Sequence, residues 1–307
     1  MNVLILGGSS FIGYHLTNAL RDKNIEPMVV DIRKPLLDVK YAVIDLQTIT
    51  PDSLLFRGVD VVYHLAWTTL PKTSNENPIY DVTSNLTMTL RILDACIRNG
   101  VKKVVFISSG GTVYGIPKNV PIKETHPTNP ICSYGITKLI AEKYLQMYYH
   151  IHGLEYIVFR PSNPFGEYQN PSGIQGAVTV FLGNIAADKP ITIWGDGTVI
   201  RDYFYIADLA DAMVKALDYQ PAKDSQRIFN VGSGRGISLN ALLDIISDIT
   251  GYNPKVEYSE GRVIDVPENV LDITLISDRL GWKPETDLMA GIEKTWLWVN
   301  KYLRAVY

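Results

Sequence analysis

Tyr134 and Lys138 are the residues of this chain whose types and spacing most directly suggest chemistry. They stand four residues apart in Ser133-Tyr134-Gly135-Ile136-Thr137-Lys138, and the segment continues in a helical pattern, so both side chains are expected on one helical face. A phenol has a pKa near ~10, and a neighbouring ammonium favours its ionised form. The spacing therefore predicts a proton-transfer pair, provided that a redox-active group lies beside it.

A second candidate site lies near the N-terminus, where an apolar run is followed by a turn of small residues. Val3-Leu4-Ile5-Leu6 is expected to be a buried strand rather than a signal peptide, and Gly7-Gly8-Ser9-Ser10 a tight turn before a helix. Small residues let the backbone approach a pyrophosphate, and the helix offers its first N–H groups. Asp31 ends the next strand, where a carboxylate binds ribose hydroxyls and repels a 2′-phosphate. Together they predict NAD rather than NADP.

The elements that must position these residues alternate regularly through the first half of the chain. Apolar runs of strand length separated by amphipathic helices predict an α/β fold, a Rossmann-type doubly wound parallel sheet with a smaller α/β substrate-binding C-terminal domain. Such sheets bind ligands at the carboxyl ends of their strands. A long helix is expected from about Asp81 to Asn99. The expected strands are Val3–Leu6, Met28–Val30, Ala42–Ile44, Val59–Leu65, Val104–Ile107 and Tyr156–Phe159.

The second half is less regular, and its elements are expected to build most of the substrate domain. We place the first domain at 1–162, with 201–232 returning to it, and the second at 163–307. Ile191 to Gly197 is expected to form a hairpin-like unit with an Asp-Gly turn. Gly232-Ser233-Gly234 could be mistaken for a phosphate loop, but a strand-to-helix turn with Ser238 as N-cap explains it.

The composition excludes several classes of protein. The 307 residues are 46% hydrophobic and 20% charged, as in an ordinary globular protein. The net charge of -3, with signs mixed along the chain, offers no basic tract for nucleic acid or a membrane surface. No apolar run approaches membrane-spanning length. Cys96 and Cys132 do not make a disulfide framework, which favours a cytoplasmic location.

Neither a metal site nor a serine hydrolase site is predicted. His150 and His152 are two residues apart, which does not place them on one helix face, and no Cys/His cluster has ligand spacing. His64 ends a predicted strand and is interpreted as structural. The chain also lacks the Gly-x-Ser-x-Gly elbow of serine hydrolases.

Motifs along nearly the whole chain resemble those of the extended short-chain dehydrogenase/reductase superfamily. Within it, the chain is most similar to NAD-dependent sugar epimerases and dehydratases of the UDP-glucose 4-epimerase type. The resemblance implies NAD as cofactor, a nucleotide sugar (a UDP-hexose) bound by 163–307, and a homodimer formed through helices such as Asp81–Asn99 and Tyr134–His152. The motifs are Gly7-Gly8-Ser9-Ser10-Phe11-Ile12-Gly13, Tyr134 with Lys138, Arg160-Pro161-Ser162-Asn163-Pro164-Phe165-Gly166 and Arg201-Asp202-Tyr203.

The resemblance also implies which residues meet the cofactor. Asp45 matches an acidic residue that meets the adenine, and Leu65-Ala66-Trp67 matches the backbone that lines the pyrophosphate and nicotinamide ribose. Asn85 matches a helix asparagine near the cofactor and Ser108. The complete expected set is Gly7, Ser10, Phe11, Ile12, Gly13, Asp31, Asp45, Leu46, Leu65, Ala66, Trp67, Asn85, Ser108, Tyr134, Lys138 and Pro161.

Four residues are expected on the substrate side by the same resemblance. Arg201 and Arg262 match two diphosphate-binding arginines, whose guanidinium groups grip phosphate oxygens in a bidentate fork. Asp265 matches an acidic contact to the uridine ribose, and Asn163 an asparagine that meets the diphosphate or the sugar. Asn269 lies where the family limits the pocket, and a side chain smaller than Tyr could admit an N-acetyl group.

Two positions depart from the family pattern. Ser10 stands where the family has Gly, so a Cβ narrows the approach to the pyrophosphate, although the hydroxyl could donate to a phosphate oxygen. Gly110 stands where the family carries a catalytic Ser or Thr. The hydroxyl that binds the substrate O4 then comes from Ser109 or Thr112, with Thr112 slightly favoured. In the alternative interpretation both hydroxyls only satisfy loop backbone.

The resulting prediction is a UDP-sugar 4-epimerase that acts on UDP-glucose/UDP-galactose or the N-acetylated pair through a transient 4-keto intermediate. An NDP-4-keto-6-deoxysugar reductase is the main alternative, since it shares Tyr134 and Lys138 but consumes NAD(P)H, and Arg33 could soften the exclusion of NADP. A 4,6-dehydratase is disfavoured, because that branch has Asp-Glu after its catalytic Thr. A non-catalytic dinucleotide sensor would not need the intact pair.

Overall fold

A computed structural model describes residues 1–223, 225–261 and 266–306 of the chain. These residues form two compact units. The first unit comprises Met1–Gly115, Pro127–Arg160 and Ala210–Phe229, and the second comprises Ile116–His126, Pro161–Leu209 and Asn230–Tyr307. Residues 116–126 thus lie in the second unit, whereas the sequence placed them in the first domain. The binding roles of the two units stay predictions.

The strands are numbered in chain order. They are β1 Val3–Leu6, β2 Met28–Asp31, β3 Tyr41–Val43, β4 Val61–His64, β5 Lys103–Ile107, β6 Glu155–Pro161, β7 Asn163–Phe165, β8 Ile191–Trp194, β9 Ile200–Tyr205, β10 Ile228–Val231, β11 Gly236–Ser238, β12 Val256–Ser259 and β13 Glu268–Asn269.

The α-helices are numbered in the same way. They are α1 Phe11–Arg21, α2 Pro71–Glu76, α3 Pro78–Asp81, α4 Thr87–Asn99, α5 Ser133–His152, α6 Ala177–Ala186, α7 Ile206–Lys215, α8 Leu239–Thr250, α9 Thr274–Leu280 and α10 Leu288–Val306. The helix predicted from Asp81 to Asn99 is interrupted, because a π-helical turn at Val82–Leu86 separates α3 from α4. Such turns occur mostly as local bulges and often at functional sites.

The first unit is built on a seven-stranded sheet in the order β3-β2-β1-β4-β5-β6-β10. The pairs from β3 through β6 are parallel. Strands β1, β4 and β5 are buried along their whole length, as expected for a parallel sheet covered on both faces. The direction of strand order reverses between β1 and β4, so the topological switch point lies there. The predicted Rossmann-type fold is confirmed.

Helix α5 carries Tyr134 and Lys138 and begins without a cap from its own N-cap residue, Cys132. Side chains of α2 take that role: Asn75 Oδ1 accepts from Ser133 N at 2.9 Å, and Ser74 Oγ accepts from Tyr134 N at 3.0 Å. These bonds satisfy amides that have no partner within the helix. The position of the first turn of α5 is therefore set by α2.

The second unit contains a sheet in the order β11-β9-β13, with β7 also pairing to β9, and a separate parallel pair β12-β8. The hairpin predicted around Asp196 is wrong, because β8 pairs with β12. Asp196 Oδ1 instead accepts from Thr198 N at 2.9 Å in a local Asx turn. A short-range turn signal thus did not determine the strand pairing.

The turn at Gly232-Ser233-Gly234 is satisfied within the chain. Ser233 N and Gly234 N donate to the buried Asp202 carboxylate at 2.7 and 3.3 Å, and a Cβ on Gly232 would lie 2.5 Å from Asp202 Oδ2. Ser238 caps α8 by accepting from the amide three residues later at 3.2 Å, as predicted. A carboxylate of this chain therefore occupies the position that the loop pattern alone would give to a phosphate.

Candidate active site

The turn between β1 and α1 has the backbone geometry that a dinucleotide pyrophosphate needs. Gly7 has a φ of +85°, and a Cβ there would lie 2.6 Å from the amide nitrogen of Ala66. A Cβ on Gly13 would lie 2.5 Å from the carbonyl oxygen of Gly8. Glycine is required at both positions, at the first for conformation and close approach and at the second for packing of α1.

Ser10 does not distort this turn, although it replaces a family glycine. Its φ and ψ of -81° and 170° are extended and suit any residue. As the N-cap of α1, its Oγ accepts a hydrogen bond from Gly13 N at 3.2 Å, and the hydroxyl keeps its hydrogen for donation. Phe11 and Ile12 follow in the first turn of α1 with half-buried side chains.

The two predicted acidic contacts at strand ends have different environments. Asp31 is 8% exposed, and its Oδ2 accepts from Ser9 N at 2.9 Å. Its oxygens can accept further hydrogen bonds, so the residue fits a pair of ribose hydroxyls. Asp45 is exposed, and its Oδ1 accepts from Gln47 N at 2.9 Å as the cap of a short 3₁₀ turn, Leu46–Thr48. With the glycine turn, Asp31 makes this edge of the sheet suitable for a dinucleotide.

The loop after β4 brings Trp67 against Lys138. The first two amides of this loop donate to Leu6 O at 2.9 and 3.0 Å, which holds the loop beside β1. The Trp67 ring centroid lies 3.8 Å from Lys138 Nζ, within the range of a cation–π interaction. The ammonium also donates to Ile107 O, at the end of β5, at 2.7 Å. Lys138 is thus fixed at the carboxyl edge of the sheet, beside the switch point.

Tyr134 and Lys138 lie together on α5, with the ammonium on the side of the phenol ring. Nζ is 5.6 Å from the phenol ring centroid, and Lys138 is 2% exposed. Burial raises the pKa of Tyr134, and Cys132 and Asp81 raise it further. Burial also lowers the pKa of Lys138. The pKa of the phenol is therefore raised in the protein by itself, mainly because burial disfavours the phenolate. The expectation that Lys138 favours the ionised phenol stays a prediction.

The two hydroxyls that could replace the missing one at Gly110 are not equivalent. Ser109 is partly exposed. Thr112 Oγ1 is buried and has no hydrogen-bond partner among the residues that the structure describes. A buried hydroxyl without a partner costs about 1–3 kcal/mol, so such groups are uncommon and require an explanation. The alternative in which both hydroxyls satisfy loop backbone does not hold for Thr112.

A buried ion pair supports the turn that carries Thr112. Glu142 accepts from Arg160 Nε at 3.0 Å and from Nη2 at 2.5 Å, and the two side chains are 1% and 4% exposed. Arg160 Nη1 donates to Tyr114 Oη at 2.9 Å, and Ser108 Oγ donates to Glu142 Oε1 at 2.5 Å. The predicted cofactor residue Ser108 is thus part of a network that joins β5, α5, β6 and the turn.

Asn85 holds the loop after β4. Its Oδ1 accepts from Thr68 N at 2.8 Å and from Thr68 Oγ1 at 3.1 Å. Its Nδ2 donates to Thr69 Oγ1 at 3.1 Å and to Asp81 Oδ1 at 2.9 Å. Because this amide makes four such bonds, it serves the predicted cofactor edge by positioning the loop that contains Trp67.

Several supporting residues were missed by the sequence reasoning. Glu142 had a signal, since it is an acidic residue four positions after Lys138 on an apolar helix face. Ser74 and Asn75 had none, because α2 lacks an apolar period and acts through side-chain caps. Asp81 was taken only as the start of a helix, although it is fully buried.

The second unit places two of the predicted substrate residues on neighbouring strands. Asn163 on β7 pairs with Tyr203 on β9, and Arg201 lies two residues earlier on β9, so the register puts Asn163 and Arg201 on one face. Asn163 Nδ2 donates to Asp202 O at 3.0 Å. Arg201 Nη1 donates to Val266 O at 2.8 Å. The structure therefore brings this pair together.

Other predicted positions can be located only in part. Arg262 and Asp265 lie outside the described residues. Pro161 is buried at the end of β6, and Asn269 is 1% exposed and paired with Arg201 in the register of β13 and β9. His64 is buried, and its Nε2 lies 3.0 Å from Thr89 Oγ1, which agrees with a structural role.

The described residues contain neither a metal-binding cluster nor a helix that could span a membrane. Within 1–223, 225–261 and 266–306, no group of three or more His, Cys, Asp or Glu side chains could hold a metal ion. Over the same ranges, no helix has the length and apolar character needed to cross a membrane.

Comparison with known proteins extends these observations to the family. A putative UDP-glucose 4-epimerase of Methanocaldococcus jannaschii is 34% identical over 305 residues, covering 97% of this chain and 98% of that protein. A dTDP-4-dehydro-6-deoxyglucose reductase of Escherichia coli is 32% identical over 309 residues, covering 95% of each. The solved structure of a Thermotoga maritima UDP-glucose 4-epimerase with UDP-glucose has a TM-score of 0.93 and 32% identity, covering 99% of this chain and all of that one.

A family model matches the part of the chain that contains the glycine turn and the strands of the seven-stranded sheet. Residues 3–232 match the NAD dependent epimerase/dehydratase family, which is most of the chain. The predicted resemblance to UDP-glucose 4-epimerases is confirmed by relatives that align along nearly the full length. This protein therefore belongs to the NAD-dependent epimerase/dehydratase family of extended short-chain dehydrogenases/reductases, and NAD is its cofactor.

Proposed function

We propose that this protein is an NAD-dependent UDP-sugar 4-epimerase. The observation that carries the proposal is the pair of half-buried Tyr134 and buried Lys138 at the carboxyl edge of a sheet whose glycine turn fits a dinucleotide. The similar proteins named UDP-glucose 4-epimerase support this reaction and a UDP-hexose as substrate. The pair interconverted is UDP-glucose and UDP-galactose, or their N-acetylated counterparts.

Tyr134 is the proton-transfer group of the proposed mechanism. Bound NAD supplies a reversible hydride acceptor for C4 of the sugar and is restored in each turnover. Tyr134 removes the C4 hydroxyl proton as C4 loses hydride, which leaves a 4-keto sugar. After the sugar presents its other face, hydride returns to C4, and the Tyr134 hydroxyl gives the proton back to O4. Protons and electrons therefore balance within the site.

The environment of the pair determines when Tyr134 can act as a base. Burial raises the pKa of Tyr134 and lowers the pKa of Lys138, so it opposes the charged form of both groups in the protein by itself. An oxidised nicotinamide carries positive charge, and charge interactions are strong in a site without water. The phenolate is thus expected to form in the presence of the oxidised cofactor.

Thr112 is proposed as the hydroxyl that binds the substrate O4. Its Oγ1 is buried without a partner among the described residues, whereas Ser109 is partly exposed. A hydroxyl without a partner in the protein can form a hydrogen bond to a ligand without first breaking another. Thr112 therefore replaces the side chain that is absent at Gly110.

The substrate diphosphate is assigned to the second unit. Arg201 and Asn163 lie on one face of neighbouring strands, and a guanidinium and an amide can both donate to phosphate oxygens. Arg262 and Asp265 complete the proposed set from the resemblance alone. Arg201→Met is expected to raise the KM for the UDP-sugar more than it lowers kcat, because the diphosphate does not react.

The test is a panel of UDP-sugars incubated with purified protein and no added cofactor, followed by NMR of the anomeric protons. Tyr134→Phe is expected to keep bound NAD and lower kcat by about 10²- to 10⁴-fold. Tyr144→Phe, on the same helix, is the matched control and should keep its activity. A folded, NAD-loaded wild type that epimerises none of the common UDP-hexoses would refute the proposal.

A second candidate is an NDP-4-keto-6-deoxysugar reductase, and the 32% identical Escherichia coli protein of that name supports it. This reaction would use Tyr134 as a proton donor and consume one NAD(P)H for each sugar. Steady loss of NADH or NADPH absorbance with a 4-keto-6-deoxysugar, without epimerisation of UDP-hexoses, would favour the reductase.

We also propose a homodimer formed through the outer faces of α3, α4 and α5. Exposed apolar side chains occur on α3 and α5, which is unusual for a surface that faces only water. They are Ile79, Tyr80, Ile136, Met147 and Ile151. Light scattering should give twice the chain mass for the wild type and a single chain mass for Met147→Glu combined with Ile151→Glu. A monomeric wild type would contradict this proposal.

A further inference from the structure

Asp81 is a fully buried carboxylate beneath the first turn of α5. Its Oδ2 accepts from Ser133 Oγ at 2.6 Å and from Thr137 Oγ1 at 3.0 Å. Its Oδ1 accepts from Asn85 Nδ2 at 2.9 Å and from Thr69 Oγ1. Asp81 is 0% exposed, and its hydrogen-bond partners in the described part of the chain are neutral. A buried charge of this kind needs a reason, because burial penalises it strongly.

The first two partners hold the segment that contains the proton-transfer pair. Ser133 directly precedes Tyr134, and Thr137 directly precedes Lys138. Thr137 Oγ1 is also within 3.1 Å of both Ser133 O and Tyr134 O. Asp81 Oδ2 therefore fixes both ends of the turn from which the phenol and the ammonium project.

The other two partners hold the opposite side of Lys138. Thr69 and Asn85 fix the loop after β4, since Asn85 Oδ1 accepts from Thr68 N at 2.8 Å. That loop contains Trp67, whose ring lies 3.8 Å from Lys138 Nζ. A single carboxylate thus connects α5 to the loop that packs on the ammonium.

We propose that Asp81 is a positioning residue that orients Tyr134 and Lys138 for proton transfer by joining α5 to the Trp67 loop. Its catalytic consequence rests on the proposed epimerase function. The carboxylate suits this role better than an amide would, because its two oxygens accept all four donors at once. Three of the four donors to the Asp81 carboxylate are hydroxyl groups, so its hydrogen bonds are made without a second cation beside Lys138.

Asp81 also contributes charge to the pair. It raises the pKa of Tyr134, after burial and Cys132, and it opposes the burial that lowers the pKa of Lys138. Removal of its charge is therefore expected to lower the pKa of both groups. The titratable and charged groups around the pair are Asp81 on α3, Cys132 before α5, Glu142 on α5 and His64 on β4.

The test compares Asp81→Asn with the wild type, both loaded with NAD. The tyrosinate absorbance that is lost in Tyr134→Phe reports the titration of Tyr134 directly. In Asp81→Asn this titration should move to lower pH, and kcat should fall by roughly 10- to 100-fold with a shifted pH profile and little change in KM. Asp208→Asn is the matched control: it removes another mostly buried carboxylate, bonded to Glu285 N and Thr286 N, and should leave both readouts unchanged.

Two outcomes would overturn the inference. One is a folded, NAD-loaded Asp81→Asn protein with an unchanged tyrosine titration and an unchanged pH profile. The other outcome concerns Ser133→Ala, which removes one hydrogen-bond donor to Asp81 and keeps the Asp81 charge. This variant replaces Asp81→Asn if the latter does not fold. An unaltered kcat in Ser133→Ala would refute the positioning role. If the wild type lacks epimerase activity, only the proposed function fails, because the absorbance titration still measures the effect of Asp81.

Discussion

The Glu142–Arg160 ion pair allows a quantitative prediction about the stability of the first unit. Arg160 donates two hydrogen bonds to Glu142 at 2.5 and 3.0 Å, and the side chains are 4% and 1% exposed. Burial disfavours the charge on Arg160, but Glu142 more than offsets this effect and holds the pKa above its ordinary value. The perturbation is Arg160→Met, which keeps much of the side-chain volume and removes the charge and the donors.

The expected loss follows from the burial of the partner. Arg160→Met leaves the Glu142 carboxylate with Ser108 as its remaining charge-stabilising donor, and the loss of one member of a buried pair costs about 3–5 kcal/mol. Glu142→Leu should cost a similar amount, because among the described residues the guanidinium then keeps only its hydrogen bond to Tyr114. The double variant should lose much less than the sum, since it leaves neither charge unpaired.

Hydrogen exchange of the β5 and β6 amides is the appropriate assay, because two compact units need not unfold as one transition. The exchange rates give the free energy of opening of this sheet in the wild type, both single variants and the double variant. Additive losses within about 0.5 kcal/mol would show that the pair is not coupled and would refute the reasoning. Lys215→Met, which breaks a half-exposed pair with Asp211 at 3.9 Å, is the control and should change stability by less than about 1 kcal/mol.

Three further predictions concern the site and its surroundings. Thr112→Val should lower kcat by about 10²-fold and Ser109→Ala should change it little in steady-state assays; the reverse order would contradict the assignment. Gly7→Ala should yield folded protein without bound NAD, measured after acid release, because the new Cβ would lie 2.6 Å from Ala66 N. Burial lowers the pKa of His64 from the ordinary 6.5 to about 3. Between these two pH values His64 is therefore protonated in the unfolded state and neutral in the native state. Stability should then fall by about 1.4 kcal/mol per pH unit as the pH decreases towards that lower value, and His64→Gln should show a smaller slope in unfolding measured across pH.

Much of the first unit could be predicted from sequence because its signals are local. Strands buried on both faces of a parallel sheet appear as apolar runs, and β1, β4 and β5 lie where such runs occur, with boundaries that differ by no more than two residues. The glycine turn and the Tyr134–Lys138 spacing are also local patterns. The hairpin at Asp196 was wrong, since the pairing of β8 with β12 depends on a segment about sixty residues away.

The supporting part of the site could not be predicted, because its contacts join residues far apart in sequence. Asp81 meets Thr137 across 56 residues, and Ser74 meets the Tyr134 amide across 60. Neither contact leaves a periodic pattern in either segment. The sequence also could not distinguish the hydroxyls of Ser109 and Thr112, because the burial of Thr112 Oγ1 depends on how the turn folds.

Desolvation shifts the pKa values of Tyr134 and Lys138 in opposite directions, and this bears on how the proposed base could be controlled. Desolvation raises the pKa of Tyr134 and lowers the pKa of Lys138, so burial opposes the charged form of both groups when the protein is alone. The same desolvation strengthens any interaction with a cation that arrives, because fewer water dipoles screen it. A solvent-exposed pair would have pKa values closer to ordinary ones and would respond less. Burial of Lys138 under Trp67 and of Asp81 beneath the turn is therefore expected to make the proposed proton-transfer group, Tyr134, dependent on the charge of the ligand that binds beside it.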